Sequence, residues 1–315
     1  MSVIEKIKSS KNTAFSFELL PPIKGNGIDS VFKTIDKLRE FNPQYINITT
    51  HRSEFVYRDK GDGTFVRFAE RYRPGTVAVA AAIQNKYNIS VVPHILCSGF
   101  TREETEYVLI DLQFLGITDL LLLRGDKAKH DSEFVVTDNA HATDLQQQVN
   151  QFNNGFFANG ELMKNNPKYF SYGMACYPEK HDEAPNIDAD FRWTKKKVDD
   201  GAEYLVTQMF FDNEKYFNFV EKCRKNGINV PIIPGIKPIT LCNQLTVLPK
   251  IFHVDIPEAF AVELSHCKTD EQAAAAGVEW CIAQAKELIA HGVPSIHFYS
   301  FMATDSVRKV AKAVY

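Results

Sequence analysis

Eight short apolar runs recur along this chain, each followed by a stretch with helical periodicity, and that alternation limits the possible fold more than any other feature. The runs cover 13–19, 45–50, 91–96, 119–124, 170–177, 204–208, 230–235 and 295–299. Short runs bounded by Pro, Gly or Asp read as buried strands. Asp119-Leu-Leu-Leu-Leu-Arg124 is apolar on both faces, as a strand inside a parallel sheet must be. Between the runs, Val31, Ile35 and Leu38 fall on one helical face behind Asp29, a candidate N-cap. Pro74 is placed to open a helix through Val77 to Ile83. Thr101 with Glu104, and Thr269 with Gln272, have capping-box spacing; Gly116 and Gly292 stand as helix stops, and Thr304 as the last cap. Further helices are expected near 189–200, 212–226, 240–252 and 270–290. Residues 51–65 are charged and Gly-containing and read as a long loop.

Strand–helix alternation without a composition break implies an α/β protein, a single (β/α)8 TIM barrel spanning 1–315. A doubly wound sheet is the alternative. A long inserted segment near 127–170 holds one helix around 141–152 and an Asn-rich stretch that neither period fits. The formal net charge of −3 excludes the basic excess that a nucleic-acid or anionic-membrane surface needs. Residues 1–12 lack an apolar core of the signal-peptide kind, and no run is long enough to span a bilayer, so a cytoplasmic protein is expected. The six cysteines form no CxxC pair, which fits reduced thiols better than disulfides or zinc, and no HExxH suggests a metal. GxGxxG after a strand and the Walker A pattern are both absent.

In such a barrel the active site lies at the carboxyl ends of the strands. Those ends carry Glu18, Thr49, His94, Arg124-Gly125-Asp126, Tyr177, Gln208, Gly235 and Tyr299. Glu18 closes an aromatic run and is followed by Pro21-Pro22; it reads either as an acid paired with a neighbouring cation or as a proton donor. A carboxyl beside Phe15, Phe17 and Leu19 loses solvation, which favours its protonated form. His94 reads as a satisfied core histidine or a ligand contact, and Asp126 as a turn residue or a site carboxylate. Gln208 needs backbone or ligand partners if buried. Lys195-Lys-Lys197 is a solvated helix face or a phosphate contact.

Taken in order, Phe15-Ser-Phe-Glu18, Pro93-His94, Leu123-Arg-Gly-Asp126, Tyr177-Pro-Glu-Lys-His181, Lys197-Val-Asp-Asp-Gly-Ala202, Thr207-Gln-Met-Phe-Phe-Asp212, Ile233-Pro-Gly-Ile-Lys-Pro238 and His297-Phe-Tyr299 resemble the methylenetetrahydrofolate reductase family, in its bacterial form without a regulatory domain. The resemblance implies an oxidoreductase of one-carbon metabolism and methionine biosynthesis. It would reduce 5,10-methylenetetrahydrofolate to 5-methyltetrahydrofolate with FAD and NADH or NADPH in ping-pong order, and act as a homo-oligomer. It implies Glu18 as the acid toward folate N10, Asp126 as the residue tuning the flavin, and Gln208 as a hydrogen-bonding partner of folate and nicotinamide. It implies FAD contacts at His94, Arg124, Gly125, Asp126, Ala142, Tyr177, His181, Ala184, Asp190, Lys196 and Lys197, with Thr49 near the nicotinamide. The chain departs from the family after Thr49, at Cys242 in place of a stacking aromatic, and at Ala303 in place of an Arg. Other FAD-dependent barrel oxidoreductases, proline-dehydrogenase-like, and a non-catalytic folate- or flavin-binding regulator are the alternatives.

Overall fold

The apolar runs fold as strands. A computed structural model describes residues 1–125, 136–165, 169–301 and 303–315. The elements run α1 (Val3–Ser9), β1 (Ala14–Leu19), α2 (Asp29–Leu38), β2 (Tyr45–Ile48), β3 (Glu54–Asp59), β4 (Phe65–Glu70), α3 (Thr76–Tyr87) and β5 (Ser90–Leu96). They continue with α4 (Arg102–Phe114), β6 (Asp119–Leu123), α5 (Ala142–Asn153), β7 (Ser171–Cys176), α6 (Ile187–Asp199), β8 (Tyr204–Thr207) and α7 (Asn213–Lys225). The last are β9 (Ile232–Ile233), β10 (Gly235–Ile236), α8 (Gln244–Phe252), α9 (Glu258–His266), α10 (Asp270–Ala290), β11 (Ser295–Phe298) and α11 (Thr304–Val314).

Nine strands share one sheet of order β10-β11-β1-β2-β5-β6-β7-β8-β9. The two terminal members are neighbours in the chain, separated only by Pro234. Residues of β9 pair with β8, and residues of β10 pair with β11, both in parallel. The seventh run is thus a single strand broken at a proline, and it joins both ends of the sheet, so the order closes into the expected α/β barrel. Proline has no N–H to give a ladder, which is tolerated at the point where pairing passes from one neighbour to the other.

The described chain divides into two compact units, Met1–Leu19 with Lys33–Asn47 and Ser171–Tyr315, and Leu20–Phe32 with Ile48–Phe170. In the first unit, alternation along β1 sends Phe15 and Phe17 to one face and Ser16 and Glu18 to the other. Phe15 meets Phe298, Phe41 and Tyr315 at ring separations of 5.4, 5.6 and 5.3 Å, so this face is the one covered by helices. Phe15, Phe17 and Phe298 are at most 2% exposed, and each contributes about 2–3 kcal/mol through burial. In the second unit, Val91, Val92 and Ile95 of β5 and Leu120, Leu121 and Leu122 of β6 are buried, along with Leu109 and Leu112 of α4 and Leu145, Val149 and Phe152 of α5.

Local chemistry explains most boundaries. Thr101 and Glu104 make both arms of their capping box. Thr269 accepts from Gln272 N, but the Gln272 side chain bonds Lys268 N instead, so that box is half formed. Gly116 and Gly292 take φ of 71° and 73° as helix stops. Asp29 and Thr304 are the first helical residues rather than caps, and Gly75 rather than Pro74 precedes α3.

A hairpin, two helices and one short bridge also depart from the sequence reading. Residues 51–65 are not a plain loop: they build most of an antiparallel β3–β4 hairpin with Tyr57 opposite Arg67. Its tip is fixed by Asp59 and Asp62 accepting from the N–H groups of Gly61 and Thr64, with Gly61 and Gly63 at positive φ. Helices α1 and α9 were not expected. In the 127–170 segment α5 forms as expected, and Phe156 bridges Leu162 across a tight turn; residues 126–135 and 166–168 lie outside the described residues.

Candidate active site

In the first unit the carboxyl ends of parallel strands bring polar side chains to one side. The in-register set Ser16, His297 and Gly235, on β1, β11 and β10, forms one layer. Side-chain direction repeats every second residue, so Glu18, Tyr299 and Lys237 make the next layer toward the strand ends. In the deeper layer Ser16 Oγ lies 3.1 Å from His297 Nδ1, and Asn47 Nδ2 lies 3.4 Å from the same nitrogen. Burial pushes the His297 pKa down to about 3, so the ring is neutral.

Gly235 is where the upper layer folds inward. Without a side chain there, the Tyr299 ring crosses the strand and its hydroxyl donates to the Thr207 carbonyl at 2.6 Å. An added Cβ would sit 2.5 Å from the Tyr299 ring and 2.6 Å from the Thr207 oxygen. Gly235 N in turn donates to Thr207 Oγ1. Glu18 is half-buried, and its main-chain carbonyl accepts from Ser300 Oγ. Burial, reinforced by the Glu18 charge, holds the Tyr299 hydroxyl well above the usual phenol range. Lys237 is 6% exposed and its ammonium donates to the Phe301 carbonyl at 3.2 Å. Burial lowers the Lys237 pKa, and the Glu18 carboxylate opposes that shift.

Tyr177 and Gln208 stand just past β7 and β8. Gln208 N donates to the Cys176 carbonyl, and its side-chain oxygen accepts from Met209 N. Tyr177 and Gln208 line a cleft with Met209, Phe252 and His253. Glu179 braces the Tyr177 loop, accepting from Lys215 Nζ at 2.8 Å and from Asp255 N. Tyr177 meets the His181 ring edge-on at 4.7 Å. His181 N donates to Asp190 at the start of α6, and Ala184 N donates to the His181 carbonyl. Lys197 donates to the Ala175 carbonyl at 2.8 Å, and its ammonium lies 5.8 Å from the Tyr177 ring. Lys196 points elsewhere, bonded to Asp200. Tyr177, His181, Ala184, Asp190 and Lys197 are therefore brought together, and Lys196 is not.

In the second unit His94 is buried in mid-strand, and its carbonyl accepts from Thr50 Oγ1. Thr49 Oγ1 lies 3.3 Å from His51 Nε2, and burial with the nearby Arg73 lowers the His51 pKa to about 4. The Arg124 carbonyl accepts from Ser98 N. Gly125 takes φ +93°, where a Cβ would meet Leu96 at 3.2 Å, so only glycine turns the chain there without strain. Ala142 opens α5, whose N-cap His141 N donates to Asp144. Asp126 lies outside the described residues.

Lys237 and Glu179 were not singled out as site residues. The sequence shows Lys237 only as a lysine two residues past Gly235 after an apolar run; which way it faces is set by register with β11 and β1. Among the described residues, no helix is long and apolar enough to cross a membrane.

A family model described as methylenetetrahydrofolate reductase matches residues 3–314. Methylenetetrahydrofolate reductase (NADH) 1 of Arabidopsis thaliana is 30% identical, over 97% of this chain and 49% of its own. The 5,10-methylenetetrahydrofolate reductase of Salmonella typhimurium is 28% identical, over 90% of this chain and 85% of its own. The chain thus spans about half the length of its plant relative and most of its bacterial one. Among solved structures, an uncharacterized Clostridium thermocellum protein that binds two copies of 5-methyl-5,6,7,8-tetrahydrofolic acid superposes with TM-score 0.58 at 14% identity, over 98% of this chain and 97% of that one. Tryptophan synthase of M. tuberculosis superposes with TM-score 0.51 at 9% identity, over 99% and 96%. Those two likenesses concern the fold, whereas the match over 3–314 settles kinship: the chain belongs to the methylenetetrahydrofolate reductase family.

Proposed function

We propose that this chain reduces 5,10-methylenetetrahydrofolate to 5-methyltetrahydrofolate, with FAD as cofactor and NADH or NADPH as reductant. The carrying observation is Glu18 at the carboxyl end of β1, on the face away from the helices and in one layer with Tyr299 and Lys237.

The donor set suits FAD. A lysine ammonium beside a tyrosine ring, with an imidazole edge-on to that ring, matches a ligand both aromatic and phosphorylated. Tyr177, His181, Ala184, Asp190 and Lys197 would hold it, and Lys197 is better placed for a phosphate than Lys196, which is engaged by Asp200. The family pattern adds Thr49, His94, Arg124, Gly125, Asp126 and Ala142. When bound, the flavin supplies the hydride chemistry between nicotinamide and folate.

The protein supplies position and a proton. Gln208, with its amide oxygen fixed by Met209 N, presents its nitrogen to an acceptor on the bound pterin or nicotinamide. Glu18 gives its proton to folate N10; the bond from N10 to the bridging carbon then breaks, and the iminium formed at N5 is the hydride acceptor.

The decisive comparison uses Glu18→Gln. Methylenetetrahydrofolate reduction should fall at least ~100-fold, the loss expected on removing a general acid. Oxidation of reduced nicotinamide by an artificial quinone acceptor, which needs no proton from position 18, should continue. Equal loss of both activities would remove Glu18 from the proposed role. Initial rates with nicotinamide and folate varied together should give the parallel lines of ping-pong turnover; intersecting lines would contradict that order.

A further inference from the structure

We infer that Lys237 is the counter-charge of Glu18: a buried ammonium that positions the site carboxyl and makes it a stronger acid than its half-burial alone would allow. This rests on the reading of Glu18 as the proton donor, and adds to it the group that sets how readily that proton leaves.

The geometry comes from register. Gly235, His297 and Ser16 lie side by side on β10, β11 and β1. Two residues further along are Lys237 just past β10, Tyr299 just past β11 and Glu18 of β1. Tyr299 N donates to the Ile236 carbonyl, which carries the ladder and its alternation one step beyond the strand ends. With adjacent strands about 4.8 Å apart, the Cα atoms of Lys237 and Glu18 are roughly 10 Å apart across β11. That gap suits a long lysine side chain reaching toward a glutamate. Tyr299, between them, leans away over Gly235 to donate to Thr207. The turn after β11 ties the two residues together. Ser300 Oγ donates to the Glu18 carbonyl, and Lys237 Nζ donates to the Phe301 carbonyl.

Burying a lysine costs several kcal/mol unless an anion or good acceptors offset it. The groups around Lys237 are limited. The Glu18 carboxyl and the Cys281 thiol of α10 favour its charged form, while burial disfavours it. The Cys281 thiol is itself pushed far above its usual range by burial and stays neutral. The Tyr299 hydroxyl stays neutral for the same reason. His297, one layer deeper, is neutral too. Among these neighbours Glu18 is the one group that supplies a negative charge.

The chemistry gives this pairing a use. Phe15, Phe17 and Leu19 alternate onto the opposite face of β1, so the carboxyl loses solvation through its own half-burial at the strand end. With no opposite charge near it, it would keep its proton too firmly to protonate a weakly basic aryl amine. A nearby ammonium favours the carboxylate left behind when the proton moves to N10, so the transfer costs less. Burial weakens the acid and the lysine restores it.

The test reads the carboxyl directly, on protein without folate or nicotinamide. Carbon-13 NMR of labelled glutamate side chains, with the Glu18 signal assigned by its loss in Glu18→Gln, gives the titration midpoint of that group. In Lys237→Met the midpoint should rise by at least about one pH unit, because removing an opposite charge disfavours the carboxylate. Lys237→Arg, which keeps the charge, should shift it by much less. An unchanged midpoint in Lys237→Met, or an equal rise in the Arg variant, would overturn the pairing. If Lys237→Met does not fold, the wild-type Lys237 ammonium signal serves instead. Its titration should move to lower pH in Glu18→Gln, and a fixed midpoint there also overturns the pairing. These midpoints do not depend on turnover, so they can fail while the Glu18→Gln kinetics hold, or hold while those kinetics fail. In turnover, the limb of the folate-reduction pH profile that belongs to Glu18 should move to higher pH in Lys237→Met by the same amount. A limb that stays in place would show that Lys237 does not set the acid used in the reaction.

Discussion

Between pH 6.5 and about 3 an unfolded chain would bind a proton at position 297 that the folded one refuses, because burial holds the ring neutral beside Ser16 and Asn47. Stability should therefore fall as the pH drops through 6.5, by up to ~1.4 kcal/mol for each unit from this group. The check is urea unfolding at pH 7 and pH 5. Wild type should lose about 2 kcal/mol more between those conditions than His297→Gln, in which position 297 no longer titrates. A second prediction at this scale concerns Gly235→Ala. The new methyl would meet the Tyr299 ring and the Thr207 oxygen, so unfolding should be easier by about 1–3 kcal/mol. Glu18 and Gln208 were legible in the sequence because each ends an apolar strand, where a polar residue has few other reasons to be. Lys237 was harder to read, since its importance depends on register with two strands far away in sequence. The division of labour between Lys196 and Lys197 was not legible at all: one helical step sends one ammonium to Asp200 and the other toward Tyr177.

Helix α4 begins with both arms of a capping box in place. Thr101→Ala removes the side-chain acceptor for Glu104 N and should cost about 1 kcal/mol in chemical unfolding. The β3–β4 hairpin is a two-stranded sheet with Phe55, Tyr57, Phe65 and Phe68 exposed, held partly by Arg67 over Phe55 and Arg58 over Phe68. Two strands alone are only marginally stable in water. Its amides should exchange with solvent well before those of β1 and β11, as hydrogen-exchange mass spectrometry would show; equal protection would contradict this. Strands in the barrel were readable from the sequence because burial on both faces leaves continuous apolar runs. The hairpin was missed because its solvent-facing positions carry Arg, Asp and Lys, so it looked like a loop. Its turn chemistry around Asp59, Gly61 and Gly63 was the overlooked signal.

At the scale of the whole molecule, the last strand completes the sheet. β11 pairs with β1 on one side and β10 on the other. A chain ending at Gly292 would leave both partners with open ladders and expose the Phe15 and Phe17 face that Phe298 and Tyr315 cover. It should lose the cooperative urea transition of the full chain, followed by circular dichroism; a sharp transition in the truncated chain would show that the remaining strands suffice. Barrel closure could be expected from eight alternating units, and the strand that performs it was legible as the apolar run at 230–235. What the run did not reveal is that Pro234 divides it, with Ile232 and Ile233 pairing with one neighbour and Gly235 and Ile236 with the other.

Pro234 gives that closing strand a single workable alignment. Ile232 and Ile233 bond one neighbour and Gly235 and Ile236 the other, while the Pro234 carbonyl still accepts from His297 N. Slipping the strand by one residue would put an imide nitrogen where a donor is needed and would turn Lys237 out toward the helices. A ring whose ends meet at such a residue can be assembled in only one phase, and the charge beside Glu18 is delivered by the same proline that forbids every other phase.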